Sequence, residues 1–311
     1  MNTEKLKINE ITKKFFSKST LLHKLFPRLT VFHIRKNSAQ RLDKLFFDIC
    51  KKFSVKNFID CGANVGTASL DATKMKLNVL AIEPNPSSFE NMIPKSSKHF
   101  KKINVGLSDK EEVLKFYHLR SVKTATNASF VAPKNNLNKY DIIEVQVIPL
   151  DKLLKNSIET TCLFALWIDV EGMQQEVLTG AQETLKNKNC KVVKIEVENK
   201  QIFKEGSWLS KDIEIFFSKL GYEAIYRDFE YVNSYNILFV KKDDVFQFEM
   251  EINNSFEDIA ESINISKISS YLIYRFLLRN LKALVIKIFG LRLGNIIAAF
   301  YGSKESKKTL K

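Results

Sequence analysis

The chain is poor in cysteine. Its four, Cys50, Cys61, Cys162 and Cys190, are widely spaced, with no CxxC pair and no Cys/His cluster. That argues against a structural zinc module and against a disulfide framework. Cys61 and Cys162 lie in apolar runs, where cysteine serves as a small buried hydrophobe, and a reducing cytosol suits them. Long apolar runs are missing too. A spanning helix needs about 18 uninterrupted apolar residues, and the nearest approach, 283–300, is broken by Lys287, Arg292 and Asn295. No secretory h-region is expected near the start, because Lys13, Lys14, Lys18, Lys24 and Arg28 interrupt every apolar stretch there. Internal repeats and low-complexity tracts are also absent.

What is present is the composition of a globular protein. Apolar residues make up 45% and charged residues 27% of 311 positions, enough for a sizeable core. The net charge of +14 is the unusual quantity, and its distribution matters more than its size. Residues 1–40 carry nine Lys/Arg against two acids, and residues 262–311 carry ten against one. The body between them is nearly neutral. A nucleic-acid enzyme is expected to carry its basic stripe on the working domain, so nucleic acid is a poor partner for this chain. Basic ends fit an anionic surface better, such as the inner face of a membrane touched peripherally from the cytoplasm. Lysine-rich ends that only maintain solubility are the competing account.

From about residue 57 to 240, short apolar runs alternate with helix-like segments. The strand candidates are 57–60, 78–83, 101–105, 142–148, 163–169, 192–198, 223–227 and 237–240. Helical patterns cover 173–186 and 210–220, the second closed by Gly221. Such alternation predicts an α/β doubly wound, mostly parallel sheet. A short polar link at 230–234 predicts an antiparallel hairpin at one edge. Residues 119–141 are polar, irregular and too long for an idle connector, so they are expected to cover or build a site. The expected organisation is a basic extension at 1–40, a domain at 41–245 and a basic, partly amphipathic helical extension at 246–311.

Three segments carry chemistry. In NFIDCGANVGTASL (57–70) a strand ends in Asp60, and Gly62 and Gly66 permit a tight turn into a helix whose N-terminus favours an anionic ligand group. A dinucleotide fingerprint would want glycine at 62, 64 and 67; Asn64 and Thr67 stand at the last two, which disfavours a nicotinamide oxidoreductase. LAIEPNP then places Glu83 at the end of the second strand, where a carboxylate can accept both hydrogen bonds of a ribose diol. FALWIDVEGMQQEVLTGA brings Asp169 to the carboxyl end of another strand, with Glu171 and Gly172 following. Two acids there can orient a hydroxyl, accept its proton or hold a divalent cation; capping the next helix is the alternative for Glu171.

Together with INVGLSD (103–109) and VIPLDKLL (147–154), these segments resemble the FkbM family of S-adenosylmethionine-dependent methyltransferases, over about 57–240. The resemblance implies a Rossmann-like class I methyltransferase sheet of seven strands, S-adenosyl-L-methionine as cofactor, and O-methylation of a saccharide, glycolipid or secondary metabolite. It also implies that Asp60, Gly62, Asn64 and Gly66 line the methionine end, that Glu83 holds the ribose, and that Asp109 lies near the adenine. At two positions the chain departs from the family pattern, with Trp167 where Lys is usual and Gln174 where Glu is usual.

Asp169 is the first candidate to orient the acceptor or take its proton, with Glu171 and His118 behind it. His118 precedes the irregular segment, where a packing role competes with that of a base. Glu196 and Glu198 end a later strand at the same expected ligand edge. No metal is assigned. A catalytically silent membrane-associated scaffold is the remaining alternative.

Overall fold

The structure is a computed structural model. It describes residues 27–95, 97–120, 128–133, 137–155, 162–228 and 233–248. The chain divides into two compact units, 1–34 with 256–311, and Arg35–Ser255. Of the first unit only the opening of a helix is described. The amphipathic segment after residue 263 and most of the basic N-terminal extension lie outside the described residues. Among the described residues no helix is long and apolar enough to cross a membrane.

The larger unit is built on a seven-stranded sheet. Its strands are β1 (Asn57–Cys61), β2 (Asn78–Ile82), β3 (Phe100–Ile103), β7 (Phe164–Ile168), β8 (Cys190–Glu198), β9 (Tyr222–Arg227) and β10 (Ser234–Lys241), in the spatial order β3-β2-β1-β7-β8-β10-β9. All neighbouring pairs are parallel except those made by β10, which runs antiparallel to both β8 and β9. That is the class I methyltransferase arrangement, with the expected edge hairpin formed by β9 and β10. The chain winds outward from β1 to β3 on one side, then restarts at β7 on the other. The crevice at that reversal, beyond the carboxyl ends of β1 and β7, is where open α/β sheets bind ligands.

Burial explains why these strands read as apolar runs. Every residue of β1 is buried, as a central parallel strand requires. One face packs under helix α1 (Pro27–Lys52) through Phe46, Phe58 and Trp167, whose rings meet edge to face 5.3–6.3 Å apart. The other face carries the main core, where Ile59, Leu166, Ile168 and Ile195 meet Val177, Leu178 and Phe217. Phe217 stacks on Phe239 at 4.2 Å.

Two expectations need correction. The run at 142–148 is a strand, but it lies outside the main sheet: β6 (Tyr140–Ile148) is the centre of a small sheet with β4 (Gly106–Leu107) and β5 (Glu112–Leu119). The outer side of β6 alternates with exposed Glu144 and Gln146, which fits a half-covered sheet and not a buried parallel one. The helix expected over 173–186 is two, α5 (Gln174–Thr179) and α6 (Gln182–Lys186). At the break, a Cβ on Gly180 would lie 2.1 Å from Ser108 O, and Gly180 O accepts from Asp151 N at 2.9 Å. Asp151 also caps α6 from outside, its carboxylate accepting from Thr184 N at 2.7 Å, Thr184 Oγ1 at 2.6 Å and Glu183 N at 3.0 Å. The helices α2 (Thr67–Lys74), α3 (Pro86–Asn91), α4 (Leu150–Lys155) and α7 (Ser210–Lys219) complete the layers.

Candidate active site

The turn after β1 has the backbone that its glycines forecast. Gly62, Asn64 and Gly66 all have left-handed φ, at 87°, 48° and 82°. The tightness is imposed by neighbouring backbone: a Cβ on Gly62 would fall 1.8 Å from Asp169 O, and one on Gly66 2.2 Å from Ile93 O. Only glycine admits both contacts. The turn is thereby pressed against the β7 loop on one side and residues 92–93 on the other.

Glu83 follows β2 and is nearly closed to solvent, 6% exposed. Its Oε2 accepts from Asn64 N at 2.7 Å and its Oε1 from Asn85 N at 2.8 Å. Asn104 Nδ2 donates to the Glu83 carbonyl at 2.7 Å. Each carboxylate oxygen keeps further acceptor capacity, so the group is oriented without being exhausted. Burial lifts its pKa to about 7 against those two backbone donors. Asp60, buried beneath the turn, accepts from Ser69 Oγ at 2.6 Å, and burial pushes it to about 7 as well.

At the β7 end, Asp169 N donates to Cys61 O at 2.9 Å, which closes the strand pair. The Asp169 Oδ1 atom is shut off from solvent and meets no hydrogen-bond donor. Glu171 has a left-handed φ of 40°, a conformation that costs a non-glycine residue energy and persists only when the surroundings impose it. Ser129 supplies part of that constraint. Its Oγ donates to Glu171 O at 2.6 Å and accepts from Val131 N at 3.0 Å, while its backbone pairs with Tyr117 of β5. Glu196 of β8 hydrogen-bonds Asp169. Burial and the neighbouring carboxylates push Glu171 to about 8 and Glu196 to about 9.

These groups share one cavity. Gly62, Asn64, Glu83, Asp169 and Glu171 line it, opposite an apolar wall of Ile82, Val105, Leu107, Phe116, Phe130 and Met173. The combination of a carboxylate fixed at the β2 end, an acid-rich β7 end and a tight glycine turn between them agrees with the sequence comparison. Residues 60–224 match the methyltransferase FkbM domain. The chain belongs to the FkbM methyltransferase family. No curated protein matches the chain. Among solved structures, it is similar to magnesium protoporphyrin IX methyltransferase from Synechocystis with bound S-adenosylmethionine, at 10% identity over 75% of this chain and 96% of that one, TM-score 0.38. A TehB-like S-adenosylmethionine-dependent methyltransferase from Corynebacterium glutamicum matches at 12% identity over 67% and 98%, TM-score 0.35. A third such methyltransferase, from Clostridium acetobutylicum, matches at 9% identity over 73% and 98%, TM-score 0.34. Likeness this distant assigns no substrate and no residue role.

Within the FkbM domain, the remaining site candidates do not reach the cavity lining. Asp60 lies under it. Gly66 serves the packing of the turn against Ile93. Asp109 is exposed, accepts from Ser108 Oγ at 3.2 Å, and has its backbone against Gly180. His118 stands on β5 opposite Asp141, two residues beyond the lining residue Phe116. Ser129 and the apolar wall were not foreseen. Phe116 sits in EVLKFYHL (112–119), where the residue types do not alternate and only the pairing of β5 with β6 shows which face is covered; Ser129 had no local signal among its Ser, Thr and Asn neighbours. The Trp167 departure also acquires a setting. Lys194 of β8 lies 3.4 Å over the Trp167 ring and pairs with Asp43 of α1 at 2.5 Å, so a cation stands beside that position on the adjacent strand.

Proposed function

We propose that this FkbM methyltransferase binds S-adenosyl-L-methionine in the described cavity and methylates a hydroxyl of a saccharide, glycolipid or secondary metabolite. The carrying observation is Glu83, whose carboxylate is held by two backbone N–H groups at the mouth of an apolar-walled cavity and retains acceptor capacity for a diol. Charge supports the choice of cofactor. A crevice edged by Glu83, Asp169 and Glu171 favours a cation, beside which these acids ionise, and its described lining offers a diphosphate no positive partner, which speaks against a nicotinamide dinucleotide. The residues present therefore fit the cofactor: Glu83 for the ribose, the Gly62–Asn64 turn for the amino-acid end, and Ile82, Val105, Leu107 and Phe116 for the adenine.

When bound, S-adenosylmethionine supplies an electrophilic methyl group on a positively charged sulfur. What this chain contributes is chiefly position and the exclusion of water. Asp169 and Glu171 orient the acceptor O–H and take its proton as transfer proceeds, since an alcohol is too weak an acid to ionise beforehand. Residues 128–130 line the cavity beside Glu171, where they limit the room left for water.

Two measurements test the reading. Calorimetry with S-adenosylmethionine should show binding by the full-length protein. Incubation with labelled cofactor and a fractionated extract should label an acceptor fraction with the wild-type protein, and about 10²- to 10⁴-fold more slowly with Asp169→Asn at nearly unchanged cofactor affinity. Absence of any calorimetric signal would remove the proposal. Label entering amino or carboxyl groups would remove the hydroxyl acceptor. We also propose that the basic extensions bring the enzyme to an anionic membrane face from the cytoplasm, a location suited to a lipid-linked acceptor.

A further inference from the structure

The amino ends of the parallel strands gather positive charge at the opposite edge of the sheet from the cofactor crevice. Lys56 precedes β1, Lys98 and His99 precede β3, and Lys101 is the second residue of β3. With Asn57 and Asn78, the first residues of β1 and β2, they line a hollow of about 500 Å³. Strands of five residues, at about 3.3 Å per residue, put roughly 15 Å between this hollow and the crevice. None of the described residues that line the hollow is acidic. Among the described residues no ion pair engages Lys56, Lys98 or Lys101. The polar side chains between the lysines are ordered by one another. Asn57 is buried, 5% exposed. Asn78 Nδ2 donates to Asn57 Oδ1 at 3.3 Å, which leaves Asn78 Oδ1 to accept from His99 Nδ1 at 2.9 Å. With Nδ1 spent as a donor, Nε2 is the ring nitrogen left for a ligand. A buried amide thus anchors a histidine ring in the wall of the hollow. Buried Val79 and Leu80 and half-buried Phe100 supply an apolar part of the same wall.

We propose that this hollow binds a phosphate group carried by a small organic molecule or by a lipid headgroup. Lysine meets phosphate as a compact point charge, whereas planar carboxylates favour the arginine fork, which no described lining residue supplies. The hollow is larger than a bare ion needs and falls within the range of about 300–1,000 Å³ usual for small-molecule sites. Phe100 and Val79 offer the organic part an apolar surface beside the cations. None of this rests on the methyl-transfer reading.

Two arms test the site with full-length protein: calorimetric titration with inorganic pyrophosphate, and co-sedimentation with phosphatidylcholine vesicles made with and without phosphatidic acid. Because the basic ends also attract anions, each arm compares two double variants of equal charge. One carries Lys56→Gln and Lys101→Gln in the hollow; the other carries Lys115→Gln on β5 and Lys139→Gln just before β6. In at least one arm, affinity should fall at least about tenfold in the hollow variant, the scale of one lost hydrogen bond to a charged group, and stay near wild type in the other variant. A loss confined to the pyrophosphate arm identifies a soluble phosphate, and one confined to the vesicle arm identifies a headgroup. No wild-type binding in either arm, equal binding by wild type and the hollow variant, or equal loss in both variants overturns the proposal. His99 gives a readout independent of net charge. The probe that binds, pyrophosphate or a short-chain soluble phosphatidic acid, should shift the histidine Nε2 nuclear magnetic resonance signal that His99→Gln removes. A saturating titration that leaves that signal unmoved rejects the site.

Discussion

Glu83 shows how a side chain can be fixed by the backbone around it. Both of its oxygens are held by N–H groups of the turns that follow β1 and β2, so a ligand meets a carboxylate that has already lost its rotational freedom. Glu83→Ala should therefore weaken S-adenosylmethionine binding by about 1.5–3 kcal/mol, the scale of hydrogen bonds to a charged group. Unchanged calorimetric affinity would show that the ribose lies elsewhere. Ser129 acts at one remove. Its hydroxyl ties the 128–131 segment to the carbonyl of Glu171, whose φ of 40° needs such a restraint. Ser129→Ala should lower turnover severalfold while leaving cofactor affinity near wild type, and Ser129→Thr should restore much of the loss. A change in cofactor affinity as large as the change in turnover would mean that Ser129 shapes the whole cavity and not the acceptor end.

At the scale of elements, legibility followed from where the determining contacts lie. β1, β2 and β7 are largely buried and read as short, mainly apolar runs that stand out locally, and Asp60, Glu83 and Asp169 were placed at strand ends without any knowledge of tertiary contacts. The small sheet was a different matter. Its β6 is a strand in either account, and only pairing across long separations, such as Val147 with Glu112 and Gly106, decides which sheet it joins. The positions of His118 and Asp109 depend on that sheet, and the break between α5 and α6 depends on Ser108 reaching Gly180. None of these partners is near in sequence. Asp151 illustrates the same point within the VIPLDKLL motif, since it caps a helix 32 residues away. Asp151→Ala should leave α6 with unsatisfied N–H groups and cost about 0.5–2 kcal/mol in a chemical denaturation curve. A loss below that range would show that water replaces the cap without penalty.

For the whole molecule, charge is unevenly shared, and the two parts call for different experiments. The nine basic residues of 1–40 and ten of 262–311 flank a nearly neutral body. Each Lys or Arg at an anionic membrane contributes up to about 1 kcal/mol, so co-sedimentation with vesicles should require anionic lipid, fall with salt and disappear on removing 263–311. Full-length protein that stays in the supernatant under all these conditions would end the docking proposal. In the body, the stored charge is acidic and buried. Asp60 and Glu83 titrate in the folded protein near pH 7, raised by burial from ordinary carboxylate values of 3.8 and 4.5. Between those limits the folded state binds more protons than the unfolded chain, so stability declines as pH rises. Their contribution is fully present below about pH 4 and is lost as pH climbs through about 7. A tenfold difference in proton affinity between folded and unfolded chain is worth ~1.4 kcal/mol, so the two groups together amount to several kcal/mol. A cationic cofactor favours the ionised carboxylates, so its binding should act in the opposite direction. Thermal melts of the free protein should thus fall from pH 5.5 to pH 8, while the rise in Tm produced by S-adenosylmethionine should grow over the same interval. Glu83→Gln removes one of the two groups and should flatten both trends. A free-protein Tm that climbs steadily to pH 8 would show that these acids are already ionised and paired in the folded state, and that the crevice does not wait for a cation.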